Sequence, residues 1–212
     1  MIGLLMKTQK SITLLLLSVL CLSLGACSNK ESNVVKKEEK TALTAKKNEP
    51  ASHQDKRLAF EKIKVATAQE QFKGGTSIEN LKELFGEPSG FEQKPAGNVT
   101  LDHYTWTFDR VSIQVNLFEN STIVKSITNF AFNRDLNISL KDYNKIKKGM
   151  SYNEVTKILT EPDDYSHASS SDKSQLQAIW VSGLKTKTRG SHISLLFEND
   201  QLIEMSQTGL ID

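Results

Sequence analysis

The chain holds two cysteines in 212 residues, Cys21 and Cys27. That is too few for a disulfide-stapled scaffold or a cysteine-built zinc site. It also lacks an excess of either charge, with 27 basic and 25 acidic residues and a formal net charge of +2. Such a balance excludes the basic footprint of a nucleic-acid binder. With 38% hydrophobic and 25% charged residues, it is neither a multi-span membrane protein nor a collagen nor a wholly disordered chain.

Catalytic signatures are missing too. There is no Gly-x-Ser-x-Gly and no glycine-rich phosphate loop. His53, His103, His167 and His192 show no metal-ligand spacing. The expectation is a non-enzyme without metal or cofactor. Asp102 and His103 are adjacent, so on a strand they point to opposite faces. His103 and His192 can share one sheet face, as solvated surface residues. Asp163-Asp164 follows Pro162 and reads as a turn, with calcium binding as the alternative. Gly74-Gly75 reads as a turn before a helix, with anion binding as the alternative.

What is present begins with an address. Residues 1–26 contain no acid, carry Lys7 and Lys10, and run apolar from Ile12 to Ala26. This is a secretory signal rather than a membrane span. It closes on Leu24-Gly25-Ala26-Cys27, which resembles the lipobox of bacterial lipoproteins. The resemblance implies cleavage before Cys27 and lipidation of its thiol, leaving the exported protein on the extracytoplasmic face of the cell membrane with no free thiol. Several buried acyl chains, at about 0.8 kcal/mol per methylene, suffice to hold it there. Residues 28–57 follow with eight basic, five acidic and no aromatic residues. They cannot bury enough surface to offset chain entropy, so a disordered tether with a reach of roughly 30 Å is expected.

From Leu58 the sequence repeats itself. Gly75, Ser77, Glu87 and Pro88 recur 74 positions later as Gly149, Ser151, Glu161 and Pro162, and Trp106 recurs as Trp180. Phe118-Glu119-Asn120 matches Phe197-Glu198-Asn199 at an offset of 79. Each copy reads as a short helical turn (Phe60–Ile63; Tyr143–Ile146), a helix and then strands. Thr76 with Glu79 and Ser151 with Glu154 have capping-box spacing. Ile78, Leu81, Leu84 and Phe85 share one helix face, as do Tyr152, Val155, Ile158 and Leu159, and the first helix is expected to end at Gly86. Tyr104-Trp106-Phe108, Ile113-Val115-Leu117 and Ile193-Leu195-Phe197 recur at every second position, the residues between them being polar except Leu196, which predicts a sheet with two unlike faces. Alternation pairs Ile113 with Ile193, whereas the Phe-Glu-Asn match pairs it with His192, so a bulge is expected in one copy. The first copy carries nine extra residues near Lys64–Gly74, and the second five around Gly183–Gly190.

A Gly-x-Ser start to the second helix, a Glu-Pro after it, a tryptophan strand and Lys147-Lys-Gly149-Met150-Ser151-Tyr-Asn-Glu154-Val155 resemble the beta-lactamase-inhibitor-protein-like fold. The SmpA/OmlA (BamE) lipoproteins carry one similar unit. Two such units behind a lipobox resemble a Gram-positive lipoprotein family classed only as a domain of unknown function. The resemblance implies an α+β fold of two tandem helix-loop-helix plus four-stranded antiparallel sheet units, forming one concave surface. The organisation expected is signal peptide 1–26, lipidated cysteine and tether 27–57, repeat unit 1 at 58–135 and repeat unit 2 at 136–212. Lactamase-gripping residues are not recognisable in this sequence.

Trp106 and Trp180 serve either as core packing or as aromatic anchors on the open face. Lys185, Lys187 and Arg189 alternate, so in an extended hairpin they would project to one side as a candidate binding patch. The function expected is protein–protein binding or envelope assembly by a membrane-anchored lipoprotein with an unidentified envelope protein as partner. The alternative is binding or sensing of cell-wall polymer or a small ligand.

Overall fold

The computed structural model describes residues 49–135 and 137–212. The signal, the lipobox with Cys27 and the tether up to residue 48 lie outside the described residues. The first half runs α1 (Gln54–Glu61), α2 (Ile78–Phe85), β1 (Gly90–Ala96), β2 (Val99–Phe108), β3 (Val111–Phe118) and β4 (Ser121–Thr128). The second runs α3 (Leu140–Tyr143), α4 (Tyr152–Leu159), β5 (Asp164–Ser169), β6 (Ser174–Trp180), β7 (His192–Glu198) and β8 (Gln201–Thr208).

The fold begins before the expected boundary at residue 58. Helix α1 starts at Gln54, and Arg57 is 1% exposed. Its sequence looks like tether because the buried residue is an arginine, whose burial depends on partners far along the chain.

The strands are antiparallel and join in chain order into one eight-stranded sheet. Two separate four-stranded sheets are therefore not formed. Strand β4 pairs with β5 through Val124↔Ala168, Lys125↔His167, Ser126↔Ser166 and Ile127↔Tyr165. Joining the halves this way removes two open edges, each a row of unpaired backbone donors and acceptors.

Local signals position the helices. Ser151 and Glu154 form the expected capping box on α4. On α2 the cap is Ser77 rather than Thr76, whose hydroxyl instead accepts from the Lys64 N–H. Leu81 and Phe85 on α2, with Val155 and Leu159 on α4, are buried. Leu84 and Ile158, expected beside them, are only half-buried. Each fully buried apolar side chain contributes about 1.5–3 kcal/mol. The helix C-caps are Gly86 (φ 82°) and Thr160 (φ 64°), and their carbonyls accept the indole N–H groups of Trp106 (2.8 Å) and Trp180 (3.2 Å).

The hairpins correct the repeat register. Glu119-Asn120 and Asn199-Asp200 make equivalent turns, all four residues having positive φ, as in type I′ hairpins. Leu117 opposes Thr122 as Phe197 opposes Leu202, and both hairpins carry a register shift beside these pairs. The two hairpins thus share one register at a spacing of 80 positions, Ile113 standing in β3 where Ile193 stands in β7. The Phe-Glu-Asn match is one residue out of step. Asn120 and Asp200 take the same role, accepting the first helical N–H of α2 (Ile78, 3.0 Å) and of α4 (Tyr152, 3.0 Å).

Candidate functional site

One cross-strand row faces the helices: Trp106, Ile113, Ile127, Tyr165, Ala178 and Leu195 are successive register partners. Pleating turns their neighbours to the other side. That opposite row reads Thr105, Gln114, Ser126, Ser166, Gln177, Leu196 and Glu204. It crosses all strands from β2 to β8 without a helix over it. This open face is the candidate site. Its centre is hydroxyl and amide, and none of the tryptophans or tyrosines in the described strands points to it.

The nine-residue insertion of the first half caps one end of this face. Ala66 and Phe72 form a small cluster with Leu101 and Ile123, and Phe72 meets Phe118 edge-on at 6.3 Å. Leu101 lies on the open side, two residues before His103. Gly75 anchors the insertion, because a Cβ there would sit 2.3 Å from the Thr122 carbonyl oxygen. Its N–H donates to Ser121 Oγ at 2.9 Å, so close packing explains the glycine without an anion. The accessible part of the face is shifted by this cap toward β5–β8.

Trp106 and Trp180 are 1% and 0% exposed. They face the helices, and their anchor role on the open face is thereby overturned: a large apolar ring is most stable where both its surface and its N–H are satisfied. Lys185, Lys187 and Arg189 are exposed, but not on an extended hairpin. Leu184 bridges Ile138 and Thr186 bridges Leu210. The Thr186 hydroxyl engages the Ser191 hydroxyl and the Thr188 carbonyl, folding the loop into turns. The regular alternation of an extended hairpin, on which a common side for the three cations rested, is therefore not formed.

Both His103 and His192 lie on the open face by register, on β2 and β7. His103 is 8% exposed rather than solvated, with Nδ1 2.5 Å from Asn116 Oδ1. His167 faces the helices beside Lys125, with Nε2 2.7 Å from Ser174 Oγ.

Asp163 is fully buried. Oδ1 accepts from the Phe132 N–H (2.9 Å), Arg134 Nη2 (2.7 Å) and Ser182 Oγ (2.6 Å), and Oδ2 from the Val181 and Ser182 N–H groups (2.7 and 2.8 Å). Five donors fill its lone pairs, leaving no oxygen for calcium. Arg134 also reaches Thr160 Oγ1 and the Glu161 carbonyl. From α1, Arg57 donates to the carbonyls of Pro162 (2.9 Å) and Asp163 (3.3 Å). These groups fix the two halves, and hence the curvature of the open face, in one arrangement. Sequence reading takes Asp163 for a turn residue and passes over Arg57 and Arg134, because all three are ordinary surface residue types.

Two neighbouring groups give opposite pH signatures. Burial pushes the Asp164 carboxyl up to about 6 from 3.8. The unfolded chain then ionises first, so this group removes stability as pH rises from about 4 to about 6. Burial, assisted by Lys125, pushes His167 down to about 4 from 6.5. Here the unfolded chain binds the proton first, so this group adds stability as pH rises from about 4 to about 6.5. Urea unfolding across that window should therefore gain an upward slope in Asp164→Asn and a downward slope in His167→Gln. Parallel slopes in both variants would refute the assignment.

Helices on one face of an eight-stranded antiparallel sheet make this an α+β protein. Residues 52–210 match the family described as Domain of Unknown Function with solved-structure structure (DUF3862), and the chain belongs to it. It is similar to a Streptococcus mutans protein of known crystal structure, provisionally described as a beta-lactamase inhibitor protein. The two share 48% identity with a TM-score of 0.73, over 76% of this chain and 99% of that one. No curated protein matches the chain.

Proposed function

We infer that this chain is a membrane-anchored extracytoplasmic lipoprotein that binds a partner protein without catalysis. The observation carrying the reading is the uncovered sheet face, continuous across both halves and held in shape by the buried Arg134–Asp163 ion pair and the Arg57 hydrogen bonds. Interaction surfaces of this size need a rigid scaffold, since ordering a mobile one subtracts from affinity. The inhibitor description of the Streptococcus mutans neighbour supports a protein partner, and beta-lactamases are the first candidates to test.

A second reading is favoured by one observation. The central row is hydroxyl and amide, without the Trp or Tyr that usually dominates protein interfaces. Such a face also suits a hydroxyl-rich wall polymer.

Cys27 supplies the anchor in this account. Cys27→Ala should leave an unprocessed precursor or release the protein to the medium, read by membrane fractionation and mass. Normal processing with full membrane retention would refute the anchor. The binding surface is tested by photo-cross-linking from the open face.

A further inference from the structure

A second recess lies on the helix side, away from the open face. It is a cleft of about 250 Å³ where α1 and α4 flank the β4–β5 junction, lined by Phe60, Glu61, Lys125, Tyr152, Glu161 and Tyr165 around Arg57. The recess is half open to solvent and has room for several waters or for a molecule of dipeptide size.

The charges of this cleft are unevenly satisfied. Arg57 is spent: it donates to Glu61 Oε1 at 2.8 Å and to two backbone carbonyls. Lys125 is 6% exposed and donates to the carbonyls of Ile63 (2.8 Å) and Phe60 (3.4 Å). Among the described residues no carboxylate lies within 4.0 Å of its ammonium. The ammonium also sits over the Phe60 and Tyr165 rings, 4.8 and 5.4 Å from their centroids, but it has no counter-charge, and one of its three N–H donors has no protein acceptor. The Tyr165 hydroxyl likewise has no partner among the described residues, yet it is not sealed from solvent. Across the cleft, Glu161 accepts only the Tyr152 hydroxyl (3.0 Å) and no cation among the described residues. The cleft thus offers one unpaired cation with a free hydroxyl on its floor, and one unpaired carboxylate at its rim.

We propose that this cleft binds a small zwitterion, an α-amino acid or dipeptide, through the Lys125 ammonium and Tyr165 hydroxyl at its carboxylate and Glu161 at its ammonium. With Glu61 and Arg57 offsetting each other, a lone anion meets repulsion from Glu161, and a lone cation meets it from Lys125. A molecule carrying both charges meets neither.

The full chain is titrated with glycylglycine, acetate and methylammonium, following the ring resonances of Tyr152 and Tyr165 by NMR. Glycylglycine should give saturable shifts at both rings, whereas acetate and methylammonium should not. Tyr165→Phe and Glu161→Gln should each weaken glycylglycine by about tenfold, the loss expected for one charge-assisted hydrogen bond. Both substitutions keep the side-chain shape, so folding survives, and Lys125, which holds the end of α1, is left intact. Absence of saturable shifts with glycylglycine would overturn the proposal. So would acetate binding as tightly as glycylglycine, or glycylglycine binding undiminished by Glu161→Gln.

Discussion

Asp163→Ala is expected to lower stability by about 3–5 kcal/mol, the range for breaking a buried, hydrogen-bonded ion pair from one side. The residue takes five hydrogen bonds and is 0% exposed. Removing it leaves the Phe132, Val181 and Ser182 N–H groups without their acceptor and takes from Arg134 its carboxylate, leaving that guanidinium only neutral acceptors among the described residues. Unsatisfied buried donors cost about 1–3 kcal/mol each. Urea unfolding measures the change. A loss under about 1 kcal/mol would mean that the halves are not held by this carboxylate. Arg134→Ala should show a smaller loss, because Asp163 retains four neutral donors.

Trp180→Ala is expected to cost about 3–5 kcal/mol, the usual range for emptying a large aromatic site. The ring is fully buried and packs among Val155, Leu159, Ile193 and Leu195. Trp180→Phe separates two contributions. It keeps most of the apolar volume but removes the donor to the Thr160 carbonyl, so a smaller loss of about 1–3 kcal/mol is expected. Thermal unfolding of both variants checks the order. If Trp180→Ala were nearly neutral, the ring would be exposed and its role as an anchor would be restored.

Much of this architecture is written locally. Apolar residues at helical spacing on Ile78–Phe85 and Tyr152–Leu159, followed by Pro88 and Pro162, placed α2 and α4 within a residue. Alternation, strict in Ile113–Leu117 and broken only by Leu196 in Ile193–Phe197, places β3 and β7 and tells their faces apart. The capping residue of α2 was misassigned because Thr76 and Ser77 are both good caps, and only the tertiary bond from Lys64 to Thr76 decides between them.

Long-range features were not legible. That β4 and β5 pair, merging two sheets into one, depends on Val124–Ile127 meeting Tyr165–Ala168 across about forty residues. Those strands carry no pattern that names a partner. Burial of Arg57 depends on carbonyls more than one hundred positions away. Trp106 and Trp180 were identified in sequence, but alternation alone leaves the choice between core and open face to the neighbours they pair with. The loop holding Lys185, Lys187 and Arg189 was read as extended from its charge spacing, whereas its serine and threonine hydroxyls fold it into turns. The open face was foreseen as a face, but the insertion capping it at Phe72 was not.

Site-specific photo-cross-linking on intact cells tests the binding surface most directly. A photoreactive residue is placed at Ser126 or Gln177 on the open face, and at Lys82 or Lys157 on the exposed helix side. The account predicts one discrete cross-linked protein species from Ser126 and Gln177, and none from Lys82 and Lys157. Cross-linked species from the helix side alone, or attachment of the open-face probes to wall polymer and to no protein, would contradict it.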